Sequence, residues 1–212
     1  MPDAAASEVD VKALLANAGL AVPRGRLVRD AADAADAVTE VGGRAALKAV
    51  VPGLRHKTEA GGVALDVTPE GAASVFERLS GLGGGVLVEE MVAGGAELLV
   101  GVAPTPLGQV LTLASGGLLT EVIDDAVFRL LPIDETDARE MVDDLRGAAV
   151  LRGARGGPAL DVDAVVGLLT TLSATVADWP AGFELDLNPV VVFPEGLRVI
   201  DAAYVAPPAE GA

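Results

Sequence analysis

The chain has 212 residues, enough for one large domain or two small lobes, and 51% of them are hydrophobic, so it can bury a real core, built from Ala, Val and Leu because only 3% are aromatic. With 31 acidic against 15 basic residues the formal net charge is −16, which repels a phosphate backbone at long range and sets nucleic acid aside as a partner. The absence of cysteine removes disulfides, thiolate nucleophiles and Cys-based metal sites. With no basic leader ahead of an apolar run, and no stretch near the roughly 20 apolar residues of a membrane helix, a soluble, cytoplasmic protein without membrane partners is expected.

Ser7 and Asp10 form a capping box for a helix over residues 7–18, with Val11, Leu14, Leu15 and Ala18 on one face and Gly19 at its end. After the break at Val22-Pro23-Arg24-Gly25, Arg26–Val28 reads as a short strand, and Asp30 caps an alanine-rich helix to about Val41. Ala45–Val51 is a buried strand with Lys48 in its middle; the loop from Pro52 to Gly62 follows, and Val63–Val67 resumes a strand, so a β-hairpin with a long tip is expected. Thr68-Pro69-Glu70 starts a helix to about Leu82, with Val75, Phe76 and Leu79 inward, and Val86–Glu90 is a strand. This rhythm signals an α/β layer.

Met91–Gly95 reads as a hinge into a second lobe, where Glu97–Ala103, Gln109–Ala114, Leu118–Asp124 and Val127–Leu131 predict a mostly antiparallel sheet. Asp134 caps a helix through Arg146, and Asp161 precedes an amphipathic helix with Val162, Val165, Val166, Leu169, Leu172 and Val176 on its apolar face. Phe183–Phe193 and Leu197–Asp201 predict a final hairpin. The lobes are set at residues 7–90 and 91–205, with 206–212 as a tail.

A lysine inside an apolar strand must direct its ammonium at an anion or at water, which makes Lys48 a candidate for holding nucleotide phosphates, against the alternative of a core-edge lysine reaching solvent. His56 is the only histidine, so any imidazole acid or phosphoryl acceptor must be this residue. The Gly61-Gly62 pair lets backbone amides approach phosphate oxygens, or is an ordinary tight turn. Gly81-Leu82-Gly83-Gly84-Gly85 is no dinucleotide fingerprint, because it follows a helix and precedes a strand, and no P-loop sequence is present. In Glu184-Leu185-Asp186-Leu187-Asn188-Pro189 the acidic and amide side chains alternate onto one face, and Asp201 follows on the partner strand. Such hard oxygens suit Mg²⁺ completed by phosphates and waters, or form a solvated polar face.

Five ordered segments now carry a resemblance: L-K-A-V-V-P-G-L-R-H-K-T-E-A-G-G-V, V-L-V-E-E-M-V-A-G-G-A-E-L-L-V-G-V, G-G-L-L-T-E-V-I-D-D-A-V-F-R-L-L-P, V-L-R-G-A-R-G-G-P-A-L-D and E-L-D-L-N-P-V-V-V. Together they cover roughly residues 8 to 203, and the chain resembles the ATP-grasp domain, or β-subunit portion, of the ADP-forming acyl-CoA synthetases, relatives of succinyl-CoA synthetase. The resemblance implies an ATP-grasp fold of the α/β (α+β) class, two lobes with a nucleotide cleft between them, and ATP/ADP and Mg²⁺ as cofactors. It implies Lys48, with Gly61 and Gly62, at the phosphates. Val88 to Met91 becomes the hinge strand holding the adenine, with Glu89, Glu90 and Met91 there and Glu97 close by. Asn188 and Asp201 match the Mg²⁺-binding pair, Arg129 matches an arginine steadying phosphate charge, and His56 matches the histidine that takes a phosphoryl group from a second histidine and delivers it to ADP.

The implied chemistry runs reversibly from acyl-CoA and phosphate through acyl phosphate and phosphohistidine to ATP, that is, an ADP-forming acid–CoA ligase. The CoA-binding domain and the second phosphohistidine-bearing domain are missing from the pattern, and one histidine cannot supply both relay stations. Val102–Gly108 also lacks the Asp and Phe of the family's D-x-x-F-G turn. Activity is therefore expected in a hetero-oligomer with a separate CoA-binding, phosphohistidine-bearing α subunit. Two other readings stay open: a nucleotide-binding module without turnover of its own, and an ATP-grasp ligase joining a carboxylate to an amine.

Overall fold

The computed structural model describes residues 1–3, 6–51, 60–117 and 125–208. The expected strand Leu118–Asp124, the loop carrying His56 and the last four residues of the expected tail lie outside the described residues. The chain forms two compact units: one comprises Ala5–Asp10 and Pro23–Ala93, the other Met1–Ala4, Val11–Val22 and Gly94–Ala212. The division falls inside the first helix, α1 (Glu8–Asn17). Its start is the expected capping box, with Ser7 donating its hydroxyl (2.7 Å) and amide (2.9 Å) to the Asp10 carboxylate.

The unit around Pro23–Ala93 contains β1 (Gly25–Val28), α2 (Ala31–Glu40), β2 (Ala45–Val50), β3 (Val63–Val67), α3 (Pro69–Ser80) and β4 (Gly85–Glu90). Its strands form one sheet in the order β1-β4-β2-β3, every pairing antiparallel. The period of two sends Leu47, Ala49, Val86 and Val88 to one face, where they share a core with Ala34, Ala37 and Val38 of α2 and Ala72, Phe76 and Leu79 of α3. Lys48 therefore lies on the opposite face. Asp30 caps α2 by accepting from the Asp33 amide at 2.8 Å. Gly84 has no substitute: a Cβ there would sit 2.0 Å from the Val50 carbonyl oxygen.

The second unit holds β5 (Ala96–Thr105), β6 (Gly108–Ser115), β7 (Ala126–Leu130), α4 (Glu135–Asp144), α5 (Ala148–Leu151), a 3₁₀ turn (Ala154–Gly156), α6 (Val162–Val176), β8 (Glu184–Val192), β9 (Leu197–Val199) and β10 (Ala202–Val205). Its sheet runs β10-β8-β5-β6-β7, with β9 pairing β8, all antiparallel. Leu98, Val100 and Val102, Leu111 and Leu113, and Leu185 and Leu187 are the buried alternates; with Met141 and Val142 of α4 and Leu168, Leu169 and Leu172 of α6 they belong to the core. Glu184, Asp186 and Asn188 alternate to the exposed face, as expected. Register aligns Asp186, Gly101, Thr112 and Phe128 across four strands, so Phe128 and Leu130 share that face and are 58% and 49% exposed.

Two expectations are corrected here. The strand foreseen over Leu197–Asp201 ends at Val199 and a further strand begins at Ala202, because Pro189, which faces Ile200 in the register of β8, accepts the Ile200 amide on its carbonyl (2.9 Å) but has no amide of its own to return the bond. The helix foreseen through Arg146 ends at Asp144, and Leu145 is extended. Asp161 does more than cap α6: one carboxylate oxygen accepts from the Ala164 amide (2.9 Å) and the other from Gly196 (2.8 Å) in the β8–β9 turn. Trp179, Phe183 and Tyr204 form an aromatic cluster, Trp179 meeting the other two edge-on at 5.0 and 5.8 Å.

Candidate functional site

Lys48 is only 4% exposed, and its ammonium lies 2.8 Å from Glu8 Oε1 and 3.1 Å from Glu89 Oε2. Strand pairing explains the second contact: Lys48 faces Leu87 of β4, and Glu89, two residues on, projects from the same face. Gly25 of β1, paired with Glu89, makes room for it, since a Cβ there would lie 3.0 Å from the Glu89 Cγ and 2.2 Å from the Val88 carbonyl oxygen. Glu8 comes from the first turn of α1, itself 5% exposed. Both acids are thus partners of the lysine, and Glu8 was not legible in the sequence. The usable signal would have been the demand of a buried ammonium for counter-charge.

Glu90, next to Glu89, turns elsewhere: its carboxylate takes the Arg24 side chain at 2.7 Å and the Arg24 amide at 3.1 Å. Met91 accepts the Asp66 amide on its sulfur at 3.4 Å. Gly61, with φ +68°, offers its carbonyl to Arg78 (2.9 Å), and the Gly62 carbonyl takes the Ala49 amide (2.8 Å). His56 lies outside the described residues.

In the other unit, Asn188 of β8 and Asp201, in the break between β9 and β10, come together, the Asn188 amide donating to the Asp201 carbonyl at 3.2 Å. Asn188 stands on the exposed sheet face, and Asp201 Oδ1 accepts the Ala202 amide at 2.8 Å. A carboxamide and a carboxylate on neighbouring segments are the hard-oxygen donor set that Mg²⁺ takes when phosphates and waters complete its shell, so these residues fit the ion. Among the described residues no group of three or more His, Cys, Asp or Glu forms a fuller cage.

Arg129 belongs to a different face. Phe128 shares the Asp186 side of the sheet, so its neighbour Arg129 points to the helix side, where it donates to Asp144 of α4 at 2.7 Å with Glu140 at 3.8 Å. The structure does not bring it beside Asn188. Glu97 lines a cavity of about 340 Å³ with Leu98, Ser115, Asp125, Arg146 and Val150. Asp125 there accepts from the Ser115 hydroxyl and from the amides of Arg146 (2.7 Å) and Gly147 (2.8 Å). Burial pushes its carboxyl up, but the Ser115 hydroxyl, the two amides and the Arg146 charge outweigh it and hold it below the ordinary carboxylate value. Sequence reasoning missed this knot, whose only sequence signal is the Asp124-Asp125 doublet in a matched segment.

Comparison with known proteins gives the family. The family model of the ATP-grasp domain matches residues 2–205. Acetate–CoA ligase [ADP-forming] I of Archaeoglobus fulgidus is 38% identical over 197 residues, which is 88% of this chain and 29% of that one. The β subunit of acetate–CoA ligase [ADP-forming] II of Pyrococcus furiosus is 33% identical over 93% of this chain and 90% of its own length. The dinucleotide-forming acetyl-CoA synthetase 1 of Ca. Korarchaeum cryptofilum, solved with coenzyme A and Ca-AMPCP, superposes with a TM-score of 0.87 at 28% identity, covering 94% of this chain and 92% of that one. A second structure of that enzyme, with coenzyme A and Mg-AMPPCP, has its phosphohistidine segment pointing towards the nucleotide binding site and superposes at TM-score 0.82 and 28% identity, covering 94% of this chain and 92% of that one. The chain spans less than a third of the first relative and nine tenths of the second. Matched to the ATP-grasp model over nearly all its length and to a β subunit over nine tenths of that subunit, the chain belongs to the ATP-grasp family, in its branch of ADP-forming acyl-CoA ligase β subunits.

Proposed function

We propose that this chain is the nucleotide-handling β component of an ADP-forming acid–CoA ligase, transferring a phosphoryl group between a histidine and ADP. The observation that carries the reading is the pairing of Asn188 with Asp201, main chain to main chain at 3.2 Å, in a protein similar to an enzyme solved with Ca-AMPCP and with Mg-AMPPCP. Asn188 and Asp201 would hold Mg²⁺, which supplies charge neutralisation on the nucleotide phosphates. Lys48 would offer its ammonium to nucleotide phosphates, and Glu89 steadies that ammonium across the β2–β4 pair. His56 receives the phosphoryl group on a ring nitrogen and gives it up: the P–N bond breaks with its electron pair returning to the imidazole, while a β-phosphate oxygen of ADP forms the new P–O bond of ATP. The acyl phosphate that charges the relay arises from acyl-CoA and inorganic phosphate, with CoA leaving. That step belongs to a CoA-binding partner, a separate α subunit.

Mixing the chain with a cognate α subunit, acetyl-CoA, ADP, phosphate and Mg²⁺ tests the whole reading. ATP should appear with both components and with neither alone, and His56→Ala should abolish it; undiminished ATP formation by that variant would remove His56 from the relay. Calorimetric titration of Mg-ADP separates the binding roles. Asn188→Ala is expected to weaken binding by about tenfold or more, as metal-ligand losses do, and unchanged affinity would sink the metal assignment.

A further inference from the structure

Lys12 of α1 is only 4% exposed, and its ammonium donates to the carbonyl of Ile200 at 2.6 Å, across 188 residues of sequence. Both residues belong to the unit that carries Asn188 and Asp201. The register of β8 accounts for a side chain at this place. Val190 pairs with Val199 and Leu187 with Ala202, so Ile200 falls opposite Pro189. The Ile200 amide donates to the Pro189 carbonyl at 2.9 Å, but a proline nitrogen has no hydrogen with which to return the bond to the Ile200 carbonyl. Lys12 brings a donor to that carbonyl, in a charge-assisted bond shorter than the ordinary N–H···O distance. The same stretch is fastened again beside it, the Val199 amide donating at 2.9 Å to the carbonyl of Ala21, beyond the end of α1.

We propose that Lys12 is a positioning residue for the magnesium site: standing in for the amide that Pro189 lacks, it fixes the peptide between Ile200 and Asp201 and so aims the Asp201 carboxylate. The inference rests on the reading of Asn188 and Asp201 as metal ligands. Asp201 lies outside both β9 and β10, so its main chain is held by individual bonds rather than by a regular ladder. Its carbonyl takes the Asn188 amide at 3.2 Å and its Oδ1 takes the Ala202 amide at 2.8 Å. On its amino side, the peptide is held at Ile200 by Pro189 and by Lys12. Mg²⁺ demands near-ideal octahedral geometry, so a small turn of that peptide is felt at the ion. Loss of the Lys12 ammonium therefore falls on the metal-dependent part of nucleotide binding. A lysine that served only the packing of α1 would weaken the fold and leave the ratio of binding with and without metal as it was.

Calorimetric titration of the full chain with ADP, once in excess Mg²⁺ and once in EDTA, tests this on wild type, Lys12→Met and Asp201→Asn. Lys12→Met is expected to bind Mg-ADP about tenfold more weakly, as loss of a partner that orients a metal ligand does, while its affinity for ADP in EDTA stays within about twofold of wild type. Equal weakening with and without metal would overturn the positioning role, and so would unchanged or tighter Mg-ADP binding. Should Lys12→Met fail to fold, Lys12→Gln, shorter and uncharged but polar, takes its place with the same expectations. Asp201→Asn separates the two readings. If it weakens Mg-ADP binding while the Lys12 variant does not, the metal site stands and the role of Lys12 is wrong. If Asp201→Asn binds Mg-ADP as wild type does, the metal reading itself falls.

Discussion

Among single residues, Asp125 offers the sharpest pH test. It is 5% exposed and its carboxylate collects one hydroxyl and two amides. Its native pKa is lowered, so these bonds contribute stability that is complete above the unfolded value, near 4, and disappears as pH falls through the depressed native value. Asp125→Asn should cost about 1–3 kcal/mol at pH 7, because an amide cannot accept from all three donors. Urea midpoints should show that gap closing below about pH 4; a gap constant down to pH 2 would mean the carboxylate is not what holds the knot. Lys48 was legible as a buried charge needing an anion, but its partners were not. Glu8 is 40 residues away in sequence, and nothing in local spacing ties a helix start to a strand lysine.

Elements whose signals are local were legible: the caps Asp30, Asp134 and Asp161 each sit three residues before the amide they accept from, and each helix begins where the sequence placed it. The order β1-β4-β2-β3 was not legible, since strand pairing is decided by which apolar faces meet and not by any short pattern. The break between β9 and β10 was likewise hidden: it lies opposite Pro189, which has no amide for the ladder, and only the register of β8 shows which residues face that proline. Within α6, the sequence does not single out Ser173. It is buried, accepts the Ile133 amide at 3.0 Å and donates to the Ile133 carbonyl at 3.3 Å, fastening the segment after β7 to the helix. Ser173→Ala should therefore destabilise by about 1–3 kcal/mol through the stranded amide. A melting temperature unchanged within error would remove that fastening from the account. Gly84→Ala should be the costlier change for the other sheet, its Cβ meeting backbone at 2.0 Å and flexible side chains nowhere.

For the molecule as a whole, the family was carried by five ordered segments, while the placement of Arg129 required the register of β7. That register sets Arg129 against Asp144 on the helix side and leaves Phe128 beside the Asp186 row. Arg129→Gln is accordingly expected to leave Mg-ADP affinity within about twofold and to lower stability by no more than about 1 kcal/mol, the scale of a surface ion pair; a tenfold loss of affinity would return Arg129 to the phosphates.

The aromatic cluster has a practical corollary. The chain has one Trp and one Tyr, and Trp179 and Tyr204 lie in the unit that carries Asn188 and Asp201. The unit holding Lys48 has Phe76 as its sole aromatic side chain and is dark to excitation at tryptophan wavelengths. Intrinsic emission is thus a private gauge of one unit. A rise in the unfolding midpoint on adding Mg²⁺ and ADP, read by fluorescence, reports ligand grip on the Asn188–Asp201 side, and the same titration followed by far-ultraviolet dichroism sums both.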